Sequence, residues 1–126
     1  MGYDHIDIKA ANDLGIPVGH TPEVLSDSTS DFTIGMIIAA SRKIPQGFNA
    51  IKKGGLEEGE QSEFYGRAFT KKTLGIVGLG RIGSRVARKF KKGWGDIRVV
   101  FCDIVDKSEL EKELGLERLS FDEVLR

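Results

Sequence analysis

The stretch LGIVGLGRIGSRVARKF, residues 74–90, decides the fold of this chain. Apolar residues of a short strand come first, a glycine-rich turn follows, and a basic segment with helical periodicity ends the stretch. Gly78, Gly80 and Gly83 have the spacing G-x-G-x-x-G directly after the strand and at the start of the helix. This order of strand, glycine turn and helix is typical of proteins that bind the pyrophosphate of a dinucleotide.

Each of the three glycines has a mechanical role in such a turn. We expect Gly78 to permit the tight turn, Gly80 to let the backbone approach a pyrophosphate, and Gly83 to let the helix pack closely on the strand. The first amides of the helix and its dipole would then face the anion. The expected cofactor-binding positions of the turn are Gly78, Leu79, Gly80, Arg81, Ile82 and Gly83. A purely structural turn is the alternative, and the agreement of strand, turn, helix and second strand favours dinucleotide binding over it.

An acidic residue follows the second strand at the distance that ribose recognition requires. Asp103 stands twenty residues after Gly83, where a carboxylate can accept hydrogen bonds from both hydroxyls of an adenine ribose and would repel a 2′-phosphate. This predicts NAD as the cofactor in preference to NADP. Two alternatives stay open: Asp103 could cap the following loop, and the nearby Lys107 could accommodate NADP.

Composition and charge exclude several classes of function. The chain has 19 Lys and Arg against 19 Asp and Glu, so its formal net charge is zero and no long-range field favours nucleic acid or an anionic membrane. We therefore interpret the basic residues of the helix as a solvated face and as partners of the C-terminal dipole, not as a nucleic-acid patch. They are Arg85, Arg88, Lys89, Lys91 and Lys92. The single cysteine, Cys102, fits a reducing compartment, and the longest apolar stretch, Ile34–Ala40, is too short to span a bilayer. We expect a soluble, cytoplasmic protein without a metal site.

Hydrophobic periodicity and turn residues predict the order of the elements. Before the glycine turn we expect a short helix-like segment from Ile6 to Leu14, a strand from Ile16 to His20, and a helix that starts at a capping box formed by Ser28 and Asp31. That helix, almost wholly apolar from Phe32 to Ala40, should be buried, either within the chain or between subunits. Residues 52–72 read as a long, mostly irregular arm.

The second half of the chain alternates strands and helices. The expected elements are a strand Thr73–Val77, a helix Arg81–Lys92 with Ile82, Val86 and Phe90 on its buried face, a strand Ile97–Cys102, a helix from about Ser108 to Leu114, and a further helix starting at Ser120. This predicts an α/β fold with two strands after Lys72, fewer than a complete doubly wound sheet has.

Two long segments resemble a known family. GYDHIDIKAANDLGIPVGHTPEVLSDSTSDFTIGMIIAASRKI, residues 2–44, and KTLGIVGLGRIGSRVARKF, residues 72–90, are similar to the D-isomer-specific 2-hydroxyacid dehydrogenases, most of all to glyoxylate/hydroxypyruvate reductases. The resemblance depends on G-x-D-x-I-D at Gly2–Asp7, on the Thr-Pro pair before VLSDSTSD, and on GIVGLGRIG at its expected distance downstream. Together these are far more specific than the glycine turn alone.

The resemblance implies a division of the chain into two parts. Residues 1–22 would be the tail of a substrate-binding domain, and residues 23–126 part of an incomplete, Rossmann-like NAD-binding domain. Thr29 would then lie near the cofactor phosphates, with a helix-capping role as the open alternative. The sequence departs from the family pattern at His20, where relatives usually carry asparagine, at Glu23, where a small residue or Asp is common, and in the arm, which lacks a tryptophan.

The family reduces a 2-oxoacid by hydride transfer from a nicotinamide cofactor, which here implies glyoxylate or hydroxypyruvate as substrate. Its histidine, glutamate and arginine lie in segments that would follow Arg126, so we assign no catalytic residue and interpret His5 and His20 as structural. We therefore expect a fragment that is inactive alone. Family members form dimers through the cofactor domain, to which the apolar helix and the arm would contribute.

Two other functions fit some of these observations. A non-catalytic, NAD-sensing interaction module of the same fold, like the corepressors of the family, would use the same turn. An unrelated nucleotide-binding protein that uses S-adenosylmethionine or FAD would also fit the turn. It would leave the segment HTPEVLSDSTSD, residues 20–31, unexplained.

Overall fold

The computed structural model describes residues 2–55 and 60–126. Helices precede a parallel β-sheet whose strands alternate with further helices. In chain order the elements are α1 (Ile8–Asp13), α2 (Ser26–Ser41), α3 (Ile44–Lys52), a 3₁₀ turn (Glu60–Phe64), β1 (Thr73–Val77), α4 (Arg81–Gly93), β2 (Arg98–Cys102), α5 (Ser108–Leu114), β3 (Glu117–Arg118) and α6 (Phe121–Val124). The predicted α/β fold is confirmed.

The sheet has the order β1-β2-β3 and both pairs are parallel. Thr73 pairs with Arg98 at one end and Val77 with Cys102 at the other, so the carboxyl ends of β1 and β2 lie side by side. The expectation of two strands after Lys72 is wrong, because β3 adds a third. With two residues, both charged and exposed, β3 has no apolar alternation that sequence patterning could detect.

The core lies between the sheet and α4. It comprises Ile76, Leu79, Val86, Ala87, Phe90, Ile97, Val99, Phe101 and Leu116. Val86 and Phe90 face it as predicted, whereas Ile82 is wrongly placed there, since it is 39% exposed. Ile82 lies in the first turn of α4, and Ala87 takes the additional buried position. Phe69 of the arm packs edge-on against Phe90 and Trp94.

Helix α2 packs on α4 through polar and apolar contacts. Its predicted capping box is wrong: the helix begins at Ser26, two residues earlier, so the Ser28 hydroxyl lies within the first turn and donates to the Leu25 carbonyl. Within this chain one face of α2 lies on the core and the other is open, with Phe32 69% and Met36 54% exposed. Burial of the open face between subunits stays a prediction. The acids of α2 face the basic residues of α4.

The basic residues of α4 are in large part engaged in ion pairs. Arg85 pairs with Asp27 of α2, Arg88 with Glu113 of α5, and Lys89 with Asp31. These pairs join α4 to the helices on either side of it. The interpretation of a merely solvated face therefore omits their contribution to helix packing.

Two segments before β1 differ from the expectation. Residues 16–20 form no strand, because no strand of the described part of the chain pairs with them, and Ile16 and Val18 remain exposed. Residues Ile44–Lys52, for which no helix is expected, form α3 with a proline in its first turn. The arm is irregular apart from the 3₁₀ turn, and its residues 56–59 lie outside the described residues.

The local signals in the second half match the structure closely. β1 and α5 have the predicted bounds, α4 begins at Arg81 as predicted and ends one residue later, and β2 begins one residue later than predicted. Ser120 forms a complete capping box with Glu123. Among the helices of residues 2–55 and 60–126, none has the length and apolar character needed to cross a membrane.

Candidate functional site

The glycine turn connects the carboxyl end of β1 to the amino end of α4. Gly78 has φ +88°, a conformation that residues with a Cβ rarely adopt, and its amide donates to the Cys102 carbonyl of the neighbouring strand at 2.9 Å. Gly80 is the residue before α4 and supplies no side-chain cap. The first amides of α4 have no acceptor within the helix, so they face outward at the end of the sheet.

Two glycines of the turn differ in what surrounds them. A Cβ on Gly83 would clash with the Gly78 carbonyl oxygen and come within 3.3 Å of Ile76 Cγ2, so only glycine lets α4 approach β1 this closely. A Cβ on Gly80 would meet no atom within 4 Å and would stand in open space beside the helix terminus. This is the cradle that a pyrophosphate needs, with the backbone accessible to an anion and no side chain in the way.

Asp103 is held by two backbone amides. Its Oδ2 accepts from the Leu79 amide at 2.7 Å and its Oδ1 from the Val105 amide at 2.8 Å. The Val105 and Leu79 amides, together with the positive charges of Lys107 and Arg118, lower the pKa of this carboxyl group below its usual range. Asp103 therefore caps the following loop, as the alternative interpretation requires. A carboxylate has about four acceptor positions, so two remain for ribose hydroxyls.

One cleft brings the predicted residues together. It has a volume of about 830 Å³, within the range usual for ligand sites, and lies between the glycine turn and the first part of the chain. The predicted residues that line it are Thr29, Gly78, Gly80, Arg81, Ile82, Gly83 and Asp103. Leu79 does not line it, because its side chain is buried in the core, and it contributes through the amide bonded to Asp103.

The position of Thr29 excludes the helix-capping interpretation. α2 begins at Ser26 and has Leu25 as its N-cap residue, so Thr29 lies inside the helix and does not cap it. Its carbonyl accepts a hydrogen bond from the Thr33 hydroxyl. The side chain is half-buried at the wall of the cleft that also contains Gly80.

A second depression lies on the other side of Asp103. It has a volume of about 630 Å³ and is open at the carboxyl ends of β1 and β2. Residues that line it include Val77, Ile104 and Phe121, which are all exposed and apolar. Asp103 lines both cavities and therefore stands between the cleft beside the glycine turn and the apolar depression.

Sequence reasoning did not assign a role to two charged residues of this region. Glu23 lines the cleft with φ 71°, and its Oε1 lies 3.5 Å from the Nε of Arg81. Arg118 of β3 donates from Nη2 to the Asp103 carbonyl at 2.7 Å and thereby holds the loop that follows β2. Glu23 was visible only as a departure from a family pattern, and Arg118 had no signal because its role depends on strand pairing.

The last features of this region are His20 and the distribution of possible metal ligands. His20 lines the cleft, and its ring packs edge-on against the Tyr3 ring with centroids 5.1 Å apart. Within the described residues, no three His, Cys, Asp or Glu side chains are grouped so that they could hold a metal ion.

Comparisons with known proteins agree with this geometry. Residues 34–126 match the family model described as D-isomer specific 2-hydroxyacid dehydrogenase, NAD binding domain. A glyoxylate reductase from Aeropyrum pernix is 40% identical to this chain, and the match covers 100% of this chain and 38% of the reductase. The chain spans under two fifths of the length of the curated glyoxylate reductases that it matches.

Solved structures are also similar over almost the entire chain. A D-lactate dehydrogenase from Aquifex aeolicus, crystallised with NAD and lactic acid, has a TM-score of 0.81 and 35% identity over 98% of this chain and 36% of its own. A D-mandelate dehydrogenase from Rhodotorula graminis has a TM-score of 0.84 and 28% identity over 100% of this chain and 38% of its own. The sheet and its helices therefore correspond to part of a Rossmann-like NAD-binding domain.

Proposed function

The chain belongs to the D-isomer-specific 2-hydroxyacid dehydrogenase family, and we propose that it binds the pyrophosphate and adenosine of NAD in a protein that reduces a small 2-oxoacid to the D-2-hydroxyacid. Glyoxylate or hydroxypyruvate is the proposed substrate. The observation that carries the proposal is the opening of the glycine turn and the Asp103 carboxylate onto one cleft. We further propose that residues 1–22 belong to the substrate-binding domain and residues 23–126 to the cofactor domain.

The two cavities suggest how the cofactor lies. We propose that the pyrophosphate occupies the cleft of 830 Å³, against the first amides of α4 and the Arg81 guanidinium. Thr29 forms the facing wall. The adenine ring then lies against Val77, Ile104 and Phe121 in the apolar depression, because an aromatic base gains from contact with apolar side chains.

Asp103 connects these two ends. Its two remaining acceptor positions suit the 2′- and 3′-hydroxyls of the ribose, and its negative charge disfavours a 2′-phosphate. We therefore propose NAD as the cofactor in preference to NADP. When bound, the nicotinamide supplies the hydride for reduction of the 2-oxoacid. The residues of this chain hold and orient the cofactor, and we assign proton transfer to none of them.

The open apolar face of the first helices supports an assembly. Phe32 and Met36 of α2 and Phe48 and Ile51 of α3 are all more than half exposed, and burial of such side chains is worth about 1.5–3 kcal/mol each. We propose that a second copy of the chain covers this face, together with the arm. The proposed location of the protein is the cytoplasm.

Titration calorimetry of the chain with NADH, NADPH and ADP-ribose tests the proposal. We expect NADH and ADP-ribose to bind with similar affinity, because the proposed contacts are all on the adenosine side, and NADPH to bind more weakly. NADH oxidation with glyoxylate or hydroxypyruvate should not be catalysed by this chain alone. Absence of NADH binding would contradict the cofactor assignment. Oxidation of NADH by this chain alone would show that one of its residues donates the proton, contrary to the proposal.

The non-catalytic, NAD-sensing module differs from this proposal only in what the intact protein does. Both bind the cofactor in the same cleft. Reduction of a 2-oxoacid by a protein that contains this chain and the remaining parts of the family architecture decides between them.

A further inference from the structure

We propose that Glu23 is the counter-ion of Arg81 in the free chain, that a bound pyrophosphate must displace it, and that Glu23 thereby lowers the affinity of the cleft for its anionic ligand. This inference rests on the proposed function, because it concerns the ligand of the same cleft.

Glu23 and Arg81 meet at the mouth of the cleft although they are far apart in sequence. Glu23 lies between the Thr-Pro pair and α2, whereas Arg81 is the first residue of α4. The distance between Glu23 Oε1 and Arg81 Nε is 3.5 Å, and the two side chains are 64% and 60% exposed. Both line the cleft beside Gly80. The guanidinium that is best placed to meet a phosphate therefore already has a partner.

The backbone holds Glu23 in an unusual conformation. Its φ of 71° lies in the left-handed region, which is unfavourable for a residue with a Cβ. The Glu23 carbonyl accepts from the Ser26 amide at 2.8 Å, which closes a turn directly before α2. The turn that begins a long helix thus fixes the backbone of Glu23, and its side chain contributes no cap to that helix.

The charge balance of the cleft makes this contact consequential. The described residues that line it include one arginine or lysine, Arg81, and three acids, Asp4, Glu23 and Asp103. A pyrophosphate brings two further negative charges, so binding sets it against Glu23 for the same guanidinium. Because an exposed ion pair contributes little in water, a pyrophosphate can displace Glu23 from Arg81. The displaced Glu23 carboxylate stays in the cleft and repels the ligand.

A competing role and an orienting role of Glu23 predict opposite changes in ligand affinity when the Glu23 carboxylate is removed. If Glu23 orients Arg81 for the phosphate, its removal weakens binding. If it competes with the phosphate, its removal strengthens binding of ligands that carry a pyrophosphate and leaves adenosine unaffected.

The test uses calorimetry of the full chain with NADH and with adenosine. We expect Glu23→Gln to tighten NADH binding about three- to five-fold, the effect of an exposed ion pair of up to about 1 kcal/mol, with adenosine binding unchanged. Glu23→Gly, which also removes the strained conformation, should tighten NADH binding as well. In an Arg81→Gln background, Glu23→Gln should have a clearly smaller effect.

The matched control is Asp13→Asn. Asp13 pairs with Lys9 in α1, is 63% exposed and does not line the cleft, so its removal changes the net charge equally without touching the site. NADH affinity of this variant should equal that of the unchanged chain. Binding of NADH that is unaltered or weaker in both Glu23 variants overturns this inference alone, and a chain that does not bind NADH overturns it together with the proposed function.

Discussion

At the scale of single residues, the turn depends on two glycines, which have no side chain, and on the Asp103 carboxylate, which two backbone amides hold in place. Gly83 is required because the Gly78 carbonyl occupies the space of its Cβ, whereas Gly80 leaves open space beside the helix terminus. Asp103 is fixed by the amides of Leu79 and Val105, so its acceptor oxygens already have a defined orientation before a ligand binds. Gly83 therefore serves the packing of α4 on β1, whereas Gly80 serves the proposed binding of the anion.

Substitution of these two glycines should separate stability from binding. Gly83→Ala forces α4 away from β1 and should destabilise the chain by about 1–3 kcal/mol. Gly80→Ala should leave stability nearly unchanged, because its φ of −78° suits alanine, and should weaken NADH binding by placing a methyl group in the phosphate cradle. Urea unfolding and calorimetry measure the two effects. Equal destabilisation by both substitutions would contradict this division of roles.

The lowered pKa of Asp103 predicts the pH dependence of stability. Because the folded chain favours the charged form, the stabilisation is fully present above the ordinary carboxyl pKa of about 4 and is lost as pH falls through the lower pKa of the folded state. Asp103→Asn should therefore lower the melting temperature at pH 7, and the difference should shrink below about pH 4. Asp122→Asn, at an exposed position of α6, serves as the control. A difference that stays constant down to acid pH would exclude this origin.

At the scale of elements, α4 organises the molecule. Its apolar face covers the sheet, and its charged residues pair with α2 on one side and α5 on the other. Ser30 of α2 is fully buried, and its hydroxyl donates to the Asp27 carbonyl and accepts from Lys89 Nζ, each at 2.7 Å. The cleft adjoins both helices, because Thr29 of α2 and Gly80, the residue before α4, both line it.

Removal of the Lys89 ammonium should weaken this helix contact. Lys89→Met leaves one acceptor position of the buried Ser30 hydroxyl unfilled and breaks the pair with Asp31, so we expect a loss of about 1–2 kcal/mol. Lys92→Met, on an exposed position of the same helix, should change stability by less than about 0.5 kcal/mol. The midpoints of urea unfolding, compared at an equal dependence of the unfolding free energy on urea concentration, measure the stability of the two variants. If both variants unfold at the same midpoint, the contact does not contribute to stability.

At the scale of the whole molecule, the chain has a core on one side and an open apolar face on the other. The core lies around α4 and the sheet, whereas the open face lies on α2 and α3. The proposed second copy would cover that face, whose residues Phe32, Met36, Phe48 and Ile51 do not line the cleft proposed for the pyrophosphate.

A charge on the open face should prevent assembly. Met36→Glu places a carboxylate where we propose that a second copy packs, so sedimentation at micromolar concentration should shift from dimer to monomer. Glu109→Lys, at an exposed position of α5, should leave the mass unchanged. NADH affinity should be the same in all three proteins. A monomeric mass for the unaltered chain would refute this interface.

The sequence by itself determined β1, the glycine turn, α4, α5 and the Ser120 cap. These follow from apolar periodicity, glycine spacing and capping residues, which act over a few neighbouring residues and are therefore readable without partners. The same local information identified Asp103 as the acid after β2. It did not distinguish the capping role of this carboxylate from a ligand-binding role, because one side chain has positions for both.

Only the tertiary structure decided the third strand, the open face of α2 and the partners of the charged residues. β3 exists because it pairs in parallel with β2, with Glu117 opposite Val100 and Arg118 opposite Phe101. Residues 16–20 form no strand because no described strand pairs with them. Ser30 meets Lys89 across 59 residues of chain, and Glu23 meets Arg81 in the same way. Such contacts depend on how helices pack, and packing is a property of the assembled core that no local pattern encodes.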